Sequence, residues 1–372
     1  MKCLMVLNDM AWFWSHRWPL ARAIKARGWE LTVLCPDADK DDKLAVHGIR
    51  GIDLPRAGNV WGHIQTVRSI GAVLRAEKPD LMHAITLRHA LYAGLAARLA
   101  GYTPCVFTIA GLGSIFSADT ARMKLLRPVV KRAMKAAFDR AGVQVIFQNG
   151  DDHRLMVEGG VIAPARAHIV RSSGVDTDEY AFHDEAESDA PIILFASRLL
   201  KEKGIEDFVA SVPMVKALYP AARFVVAGDS VSGNPYALDP AAMRRWVMEE
   251  LIEWLGHVDD MPACYRAAAM VVLPSYYGEG VPKALLEAAA TGRAIITTDM
   301  PGCRETVRHG YNGLLIKPRD PQGVARAIIK LLDDPERRRR MGRNGRIYVE
   351  ENFTAARVTR QTMAVYDAAL WR

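Results

Sequence analysis

Gly278-Glu279-Gly280-Val281-Pro282-Lys283-Ala284-Leu285-Leu286-Glu287 follows the apolar run Met270-Val271-Val272-Leu273-Pro274 and opens a helix-forming stretch that reaches Ala290. The order is strand, Gly-containing turn, helix. A helix that starts this way leaves its first N–H groups pointing outward, where they favour an anion. Seven residues separate Glu279 from Glu287. At about 1.5 Å of rise per helical residue, Glu287 stands roughly 10 Å beyond Glu279. Carboxylates accept hydrogen bonds from hydroxyls, so this separation suits a sugar at one end of a diphosphate and a ribose at the other. The same residues are also compatible with Glu279 as a helix cap and Glu287 on the surface.

A second junction of this kind lies upstream. The run 191–196 reads as a buried strand, Ser197-Arg198-Leu199-Leu200-Lys201-Glu202-Lys203-Gly204 as a loop, and 205–218 as a helix. Arg198 and Lys203 bracket that loop. A guanidinium fork and an ammonium there would neutralise charge that develops on a departing diphosphate. An exposed basic loop is the plainer alternative.

Outward from these junctions, short apolar runs alternate with helical periodicity. Strands are expected over 2–7, 31–35, 81–84, 105–108 and 143–148, then 192–196, 223–227, 270–273, 294–297 and 313–316. Helices are expected over 18–27, 64–77, 88–100, 205–218, 241–253, 283–290 and 321–332, with helical periodicity again over 354–372. Alternation of this type predicts two doubly wound α/β domains with parallel sheets and ligands at the carboxyl ends of the strands. The Glu-, Asp- and Ala-containing stretch 184–190 is the expected linker. The resulting division is 1–183, 184–353 and a terminal helix 354–372.

The 372 residues allow two domains of ordinary size, and 50% hydrophobic with 24% charged residues is a soluble globular composition. No run is long enough to span a bilayer, and the start lacks the apolar region and cleavage site of a signal peptide. Five scattered cysteines, none in a metal-type C-x2-C pair, suit reduced thiols in the cytoplasm. The net charge of +7 is partly concentrated between 121 and 140. Arg122, Lys124, Arg127, Lys131, Arg132, Lys135 and Arg140 interleave there with Leu125, Leu126, Val129, Val130, Met134 and Phe138, and Pro128 should kink or restart any helix. Peripheral contact with an anionic membrane at the cytoplasmic face is one reading, and a core-packed helix with a solvated basic face is the other. No nucleic-acid motif accompanies the basic residues, so no nucleic-acid partner is expected.

The Glu279–Glu287 segment resembles the E-x7-E motif of the family 4 retaining glycosyltransferases, and Arg198 with Lys203 resembles the R-x4-K pair of that family. Val145-Ile146-Phe147-Gln148-Asn149 with Asp152, Gly174-Val175-Asp176 with Phe182, Leu255-Gly256-His257-Val258, the turn 298–305 and Asn312-Gly313-Leu314-Leu315 resemble further family segments in order. The resemblance implies the GT-B fold, two Rossmann-like domains facing across a cleft. It also implies that Glu279 holds the donor sugar, Glu287 the nucleotide ribose, Arg198 and Lys203 the leaving diphosphate, with backbone N–H groups near Gly280 and Val281 assisting. The loop at His257 and Val258 would receive the base. No Asp-x-Asp run stands in a suitable loop, so neither metal nor cofactor is expected.

The first half is less marked. Asn8-Asp9-Met10-Ala11-Trp12-Phe13-Trp14-Ser15-His16-Arg17 joins the first strand to the first helix. It resembles the aromatic-Ser-His-Arg loop of members that act on polyprenyl-diphosphate-linked sugars in polysaccharide or glycan assembly. Ser15 could cap the helix and His16 with Arg17 could meet a phosphate. The aromatic residues would stack on a sugar, touch lipid, or pack against the domain interface. His83 ends a strand and is expected either to face the cleft or to be structural. Gly111 and Gly113 allow close approach of backbone to a substrate. Many relatives carry His immediately before the first of these glycines. Ala110 stands here instead, so no residue emerges as general base.

The implied activity is transfer of a hexose or N-acetylhexosamine from a nucleotide-sugar, UDP-linked, to a lipid-linked saccharide, as in lipopolysaccharide or capsule synthesis. A sugar-nucleotide 2-epimerase of the same fold and a non-catalytic nucleotide-sugar-binding protein are the alternatives. A dinucleotide oxidoreductase is disfavoured because Asn8-Asp9-Met10 stands where G-x-G-x-x-G would begin.

Overall fold

Apolar runs bounded by turn residues become the central strands of two all-parallel sheets. The computed structural model describes every residue except 57, 59, 114, 115, 117–120, 231–233, 235 and 372, and leaves out the side chains of 60 and 122. Two units divide the chain, Met1–Ser173 with Ala356–Arg372, and Gly174–Ala355.

The first unit carries, among the described residues, a seven-stranded sheet in the order β3-β2-β1-β4-β5-β6-β7. Its strands are β1 (Lys2–Val6), β2 (Glu30–Cys35), β3 (Arg50–Asp53), β4 (Leu81–Ile85), β5 (Cys105–Ile109), β6 (Val143–Phe147) and β7 (Ala167–Ile169). β4 and β5 are buried along their whole length, as strands covered by helices on both faces must be. The basic segment forms one helix, Ala121–Phe138, continuous through Pro128. Met134, Ala137 and Phe138 enter the core, while Leu125, Leu126 and Val129 are exposed. The side chain of Arg122 lies outside the described residues. The terminal helix Ala355–Leu370 buries Val358, Met363, Val365, Tyr366 and Ala369 against Cys3, Met5, Phe13, Ile24 and Trp29.

The second unit carries a six-stranded sheet in the order β10-β9-β8-β11-β12-β13. These are β8 (Ile192–Ala196), β9 (Arg223–Ala227), β10 (Glu253–Gly256), β11 (Met270–Leu273), β12 (Ala294–Thr298) and β13 (Gly313–Ile316).

Three edge strands were not expected from the sequence. β3, β7 and β10 are short and only partly buried, so they carry no apolar run to mark them. The helix expected over 241–253 is Pro240–Met248 and ends before β10, because Glu250 turns the chain with φ 54°. The division expected at 183/184 falls instead between Ser173 and Gly174. Arginines explain the shift. Arg346 Nη1 donates to the carbonyls of Thr177, Tyr180 and Ala290, Arg293 Nη2 donates to that of His183, and Arg338 pairs with Glu185 at 2.6 Å. The expected linker is thereby fastened to the second unit.

Candidate active site

In each sheet the order reverses beside the first strand of the unit, and loops leaving the carboxyl ends of the strands on either side diverge to form a crevice. In the second unit this point lies between β8 and β11. After β8, Leu199 and Leu200 are buried and bridge to Ser230 and Ala237. That anchoring leaves Arg198 exposed, and among the described residues its guanidinium has no ion-pair or hydrogen-bond partner. A short 3-10 turn, Lys201–Lys203, then leads to Gly204 at φ +77°. A Cβ on Gly204 would lie 2.1 Å from the Pro274 carbonyl oxygen, so only glycine lets the two loops approach. The approach brings Lys203 Nζ into direct contact with Glu279 Oε2, each side chain 13% exposed.

Three loops are joined around Glu279. Ser275 Oγ and the Tyr276 N–H donate to the Glu202 carbonyl at 3.1 and 3.0 Å, and Thr298 Oγ1 donates to the Ser275 carbonyl. Gly302 sits so near that a Cβ would lie 1.9 Å from the Gly280 carbonyl oxygen. Gly280 and Val281 are buried, and the Val281 side chain packs in the core.

Glu287 lies in the helix Lys283–Ala290, whose N-cap is Pro282. It is only 8% exposed. Its Oε1 pairs with Lys283 Nζ at 3.0 Å and its Oε2 accepts from the Tyr265 hydroxyl at 3.0 Å. Tyr180 presents its ring to Lys283 Nζ at 5.7 Å. Burial, reinforced by the Glu287 charge, pushes the Tyr265 and Tyr180 phenols well above their usual range. Glu287 is therefore not an open surface residue. Its remaining lone pairs are what a ribose could use. Sequence reading missed Lys283, Tyr265 and Tyr180. The lysine four residues before Glu287 was an available signal, since such residues face each other on a helix. His257 is exposed, 3.4 Å from Asp259, and Val258 packs partly against the core. The Gly228 N–H donates to the Gly256 carbonyl at 2.7 Å, which joins the loops after β9 and β10.

The corresponding crevice of the first unit lies between β1 and β4. Asn8 is exposed after β1. Asp9, not Ser15, caps the first helical turn by accepting from the Trp12 N–H at 3.0 Å. Ser15 is already inside the helix, where its Oγ donates to the Ala11 carbonyl at 2.8 Å and lies 2.7 Å from His16 Nδ1. Within the first unit the aromatic residues pack. Phe13 is fully buried, Trp14 Nε1 donates to Asp41 at 2.8 Å, and Trp12 stacks on His16 at 5.0 Å. A π-helical turn spans Phe13–Arg17. π-Turns shift side-chain register by about one residue and recur at functional sites. Here the turn ends on Arg17, a buried guanidinium whose Cζ lies 4.8 Å from the Trp12 ring centroid. Burying an unpaired charge costs several kcal/mol, whereas a cation–π contact returns about 2 kcal/mol.

His83 does not face an open crevice. It is wholly buried, its Nδ1 2.6 Å from the Tyr366 hydroxyl and its Nε2 2.7 Å from Thr108 Oγ1. Every residue of β4 is covered, so the end of this strand offers no exposed face. Burial and the Arg17 charge hold its pKa well below 6.5. Gly111 and Gly113 both have positive φ after β5. Between them Leu112 is buried, and its N–H is bonded to Asp152, whose carboxyl burial pushes up to about 6. Among the described residues no group of three or more His, Cys, Asp or Glu has the arrangement of a metal site.

Two Rossmann-like parallel sheets, with acid–base pairs at the switch point of the second, define the class of GT-B glycosyltransferases. Two family models match, "Glycosyl transferase 4-like" over residues 3–149 and "Glycosyl transferases group 1" over 176–348. The chain belongs to the family 4 glycosyltransferases. It is 27% identical, over 96% of each chain, to the N,N'-diacetylbacillosaminyl-diphospho-undecaprenol alpha-1,3-N-acetylgalactosaminyltransferase of Campylobacter jejuni. It is 24% identical, over 73% of this chain and 71% of the other, to a UDP-Gal:alpha-D-GlcNAc-diphosphoundecaprenol alpha-1,3-galactosyltransferase of Escherichia coli. Among solved structures, Anabaena HepE in complex with UDP-glucose superimposes with a TM-score of 0.79 at 18% identity, over 99% of this chain and 100% of the other.

Proposed function

We propose that this glycosyltransferase moves a hexose or N-acetylhexosamine from a UDP-linked donor to a hydroxyl of a polyprenyl-diphosphate-linked saccharide, with retention at the anomeric carbon. The second unit holds the donor. Glu279 orients the sugar, Glu287 with Tyr265 grips the ribose, and the loop at His257 and Val258 receives the base. The bond from anomeric carbon to phosphate oxygen breaks and a bond to the acceptor oxygen forms. Arg198 and Lys203 stabilise the departing diphosphate, which takes the acceptor proton, so no separate base and no metal is needed. The acceptor lies on the first unit, near Asn8, His16, Gly111 and Gly113.

The Lys203–Glu279 contact at the switch point carries this reading, because it unites the two motifs that flank a leaving diphosphate. The substrates named for the Campylobacter and Escherichia relatives support the acceptor class, and the latter supports UDP. The helix Ala121–Phe138 supports work at an anionic membrane at the cytoplasmic face. It exposes Leu125 and Val129 beside Lys124, Arg132 and Lys135, and no described helix is long and apolar enough to cross a bilayer.

A donor panel tests the proposal. UDP release that requires a polyprenyl-diphosphate saccharide and disappears in Glu279→Ala is the expected result. Donor epimerised without acceptor, or bound and left unchanged, would overturn it.

A further inference from the structure

We propose that Arg17 is the anion-binding centre of the first unit and takes the diphosphate of the acceptor. This rests on the reading that the acceptor carries a diphosphate. The observation behind it is a buried cation with neutral surroundings. Arg17 is 4% exposed, and its Nε and Nη2 are wholly covered without a hydrogen-bond partner. No carboxylate among the described residues pairs with it. The groups beside it are His83 and Tyr366, both neutral at physiological pH because burial opposes their charged forms.

Those neighbours are also occupied with one another. The Tyr366 hydroxyl and Thr108 Oγ1 take the two nitrogens of His83, which leaves neither nitrogen to accept from the guanidinium. The Trp12 ring faces the positive charge but accepts none of its five N–H donors in the plane of the fork. Arg293 in the second unit is the contrast. It too is buried, yet it donates to the carbonyls of Ala268, His183 and Thr291. Both terminal nitrogens of Arg293 are bonded, with only its Nε left over, whereas Nε and Nη2 of Arg17 both lack a partner. A guanidinium kept buried without partners is matched to an oxyanion that brings acceptors for its fork.

Placement fits a ligand. Arg17 follows β1 at the point where the strand order of the first unit reverses, on the carboxyl edge of the sheet where ligands bind. The π-turn over Phe13–Arg17 delivers it inward. Nη1, the nitrogen not wholly enclosed, is the one an incoming phosphate oxygen meets first. His16, the preceding residue, is half-buried and flanks the same turn.

The test compares two acceptors with the same saccharide, one on a polyprenyl diphosphate and one on an uncharged alkyl chain. Arg17→Gln should raise KM for the diphosphate acceptor on the order of 10- to 100-fold, since a charge-assisted pair is lost. KM for the uncharged acceptor and for the donor should not move. Arg17→Lys, which keeps charge but not the fork, should fall between and covers the case in which the glutamine variant does not fold. Equal changes with both acceptors would make Arg17 a scaffold residue and overturn the proposal. If neither acceptor is used, the reading of the acceptor has failed, and calorimetric titration of inorganic pyrophosphate into UDP-saturated protein decides for Arg17. Binding lost in Arg17→Gln sustains the site, and unchanged binding overturns it. Arg17-dependent binding of phosphatidylglycerol vesicles, without pyrophosphate binding, would assign the cation to lipid headgroups and also overturn it.

Discussion

The two crevices handle buried charge in opposite ways. In the second unit each buried or half-buried acid of the site has a basic partner: Glu279 has Lys203, Glu287 has Lys283, and behind them Glu185 has Arg338. In the first unit, among the described residues, Arg17 is buried without an anion and Asp152 without a cation. Paired sites hold their geometry before a ligand arrives, and the ligand adds to or exchanges with existing bonds. A site with an isolated charge is incomplete until something of opposite sign enters. On the proposed reading, the contrast separates a preformed half from a half whose electrostatics its substrate would finish.

The sharpest way to break this contrast is at the paired site. Lys203→Met removes the ion-pair partner of the Glu279 carboxylate, and loss of one partner of a covered pair costs about 3 kcal/mol or more. The expected outcome is roughly a thousandfold loss in kcat/KM together with a fall in Tm of several degrees. Arg198 is exposed and strands nothing when removed. Arg198→Ala should therefore lower kcat about a hundredfold while Tm and donor affinity hold, as kinetics and calorimetry on the same preparations would show. Equal loss of turnover and donor binding would count against the proposed transition-state role of Arg198.

A second test concerns Asp152. Its carboxyl titrates at about 6 in the folded chain because burial disfavours the anion, above the ordinary 3.8. A raised acid pKa means that the folded state holds the proton longer. Stability must then fall as pH rises from about 4 to about 6, with an amplitude of about 2–3 kcal/mol from this residue. Asp152→Asn should remove that slope. Urea unfolding of wild type and variant across this window gives the difference directly, and parallel curves would sink the assignment.

The smallest expected effect sharpens the first unit alone. Tyr366→Phe deletes the hydroxyl from His83 Nδ1 and leaves a buried ring nitrogen unsatisfied. It should cost about 1–2 kcal/mol and lower Tm by roughly 3–6 °C, with donor affinity unchanged. A weakened donor affinity would show that the defect is not confined to this unit.

The same contrast explains what was legible in the sequence. Glu279, Glu287, Arg198 and Lys203 were readable because each lies inside one strand–turn–helix unit, where spacing fixes position. That Lys203 touches Glu279 depends on β8 and β11 being neighbours, which no local spacing states. Lys283 was readable from helix periodicity and was overlooked. Arg17 was visible only as a basic residue in a loop. Its burial depends on a π-turn and on a helix more than three hundred residues away in the chain, and neither leaves a local pattern. His83 was left between a cleft-facing and a structural role for a related reason, since alternation loses its meaning in a strand covered on both faces. The central strands were found and β3, β7 and β10 were not, because edge strands contribute little to the core and carry little of its signature.

Those edges also bear on how the protein behaves in a crowded solution. A sheet border is a row of unsatisfied N–H and C=O groups that another polypeptide can adopt as a template. The four borders here, β3, β7, β10 and β13, are four, three, four and four residues long, and the register of β10 shifts between Trp254 and Gly256. So brief a template, bent on one side, gives a stray strand too few bonds to stay, and self-association by strand addition is resisted by geometry alone.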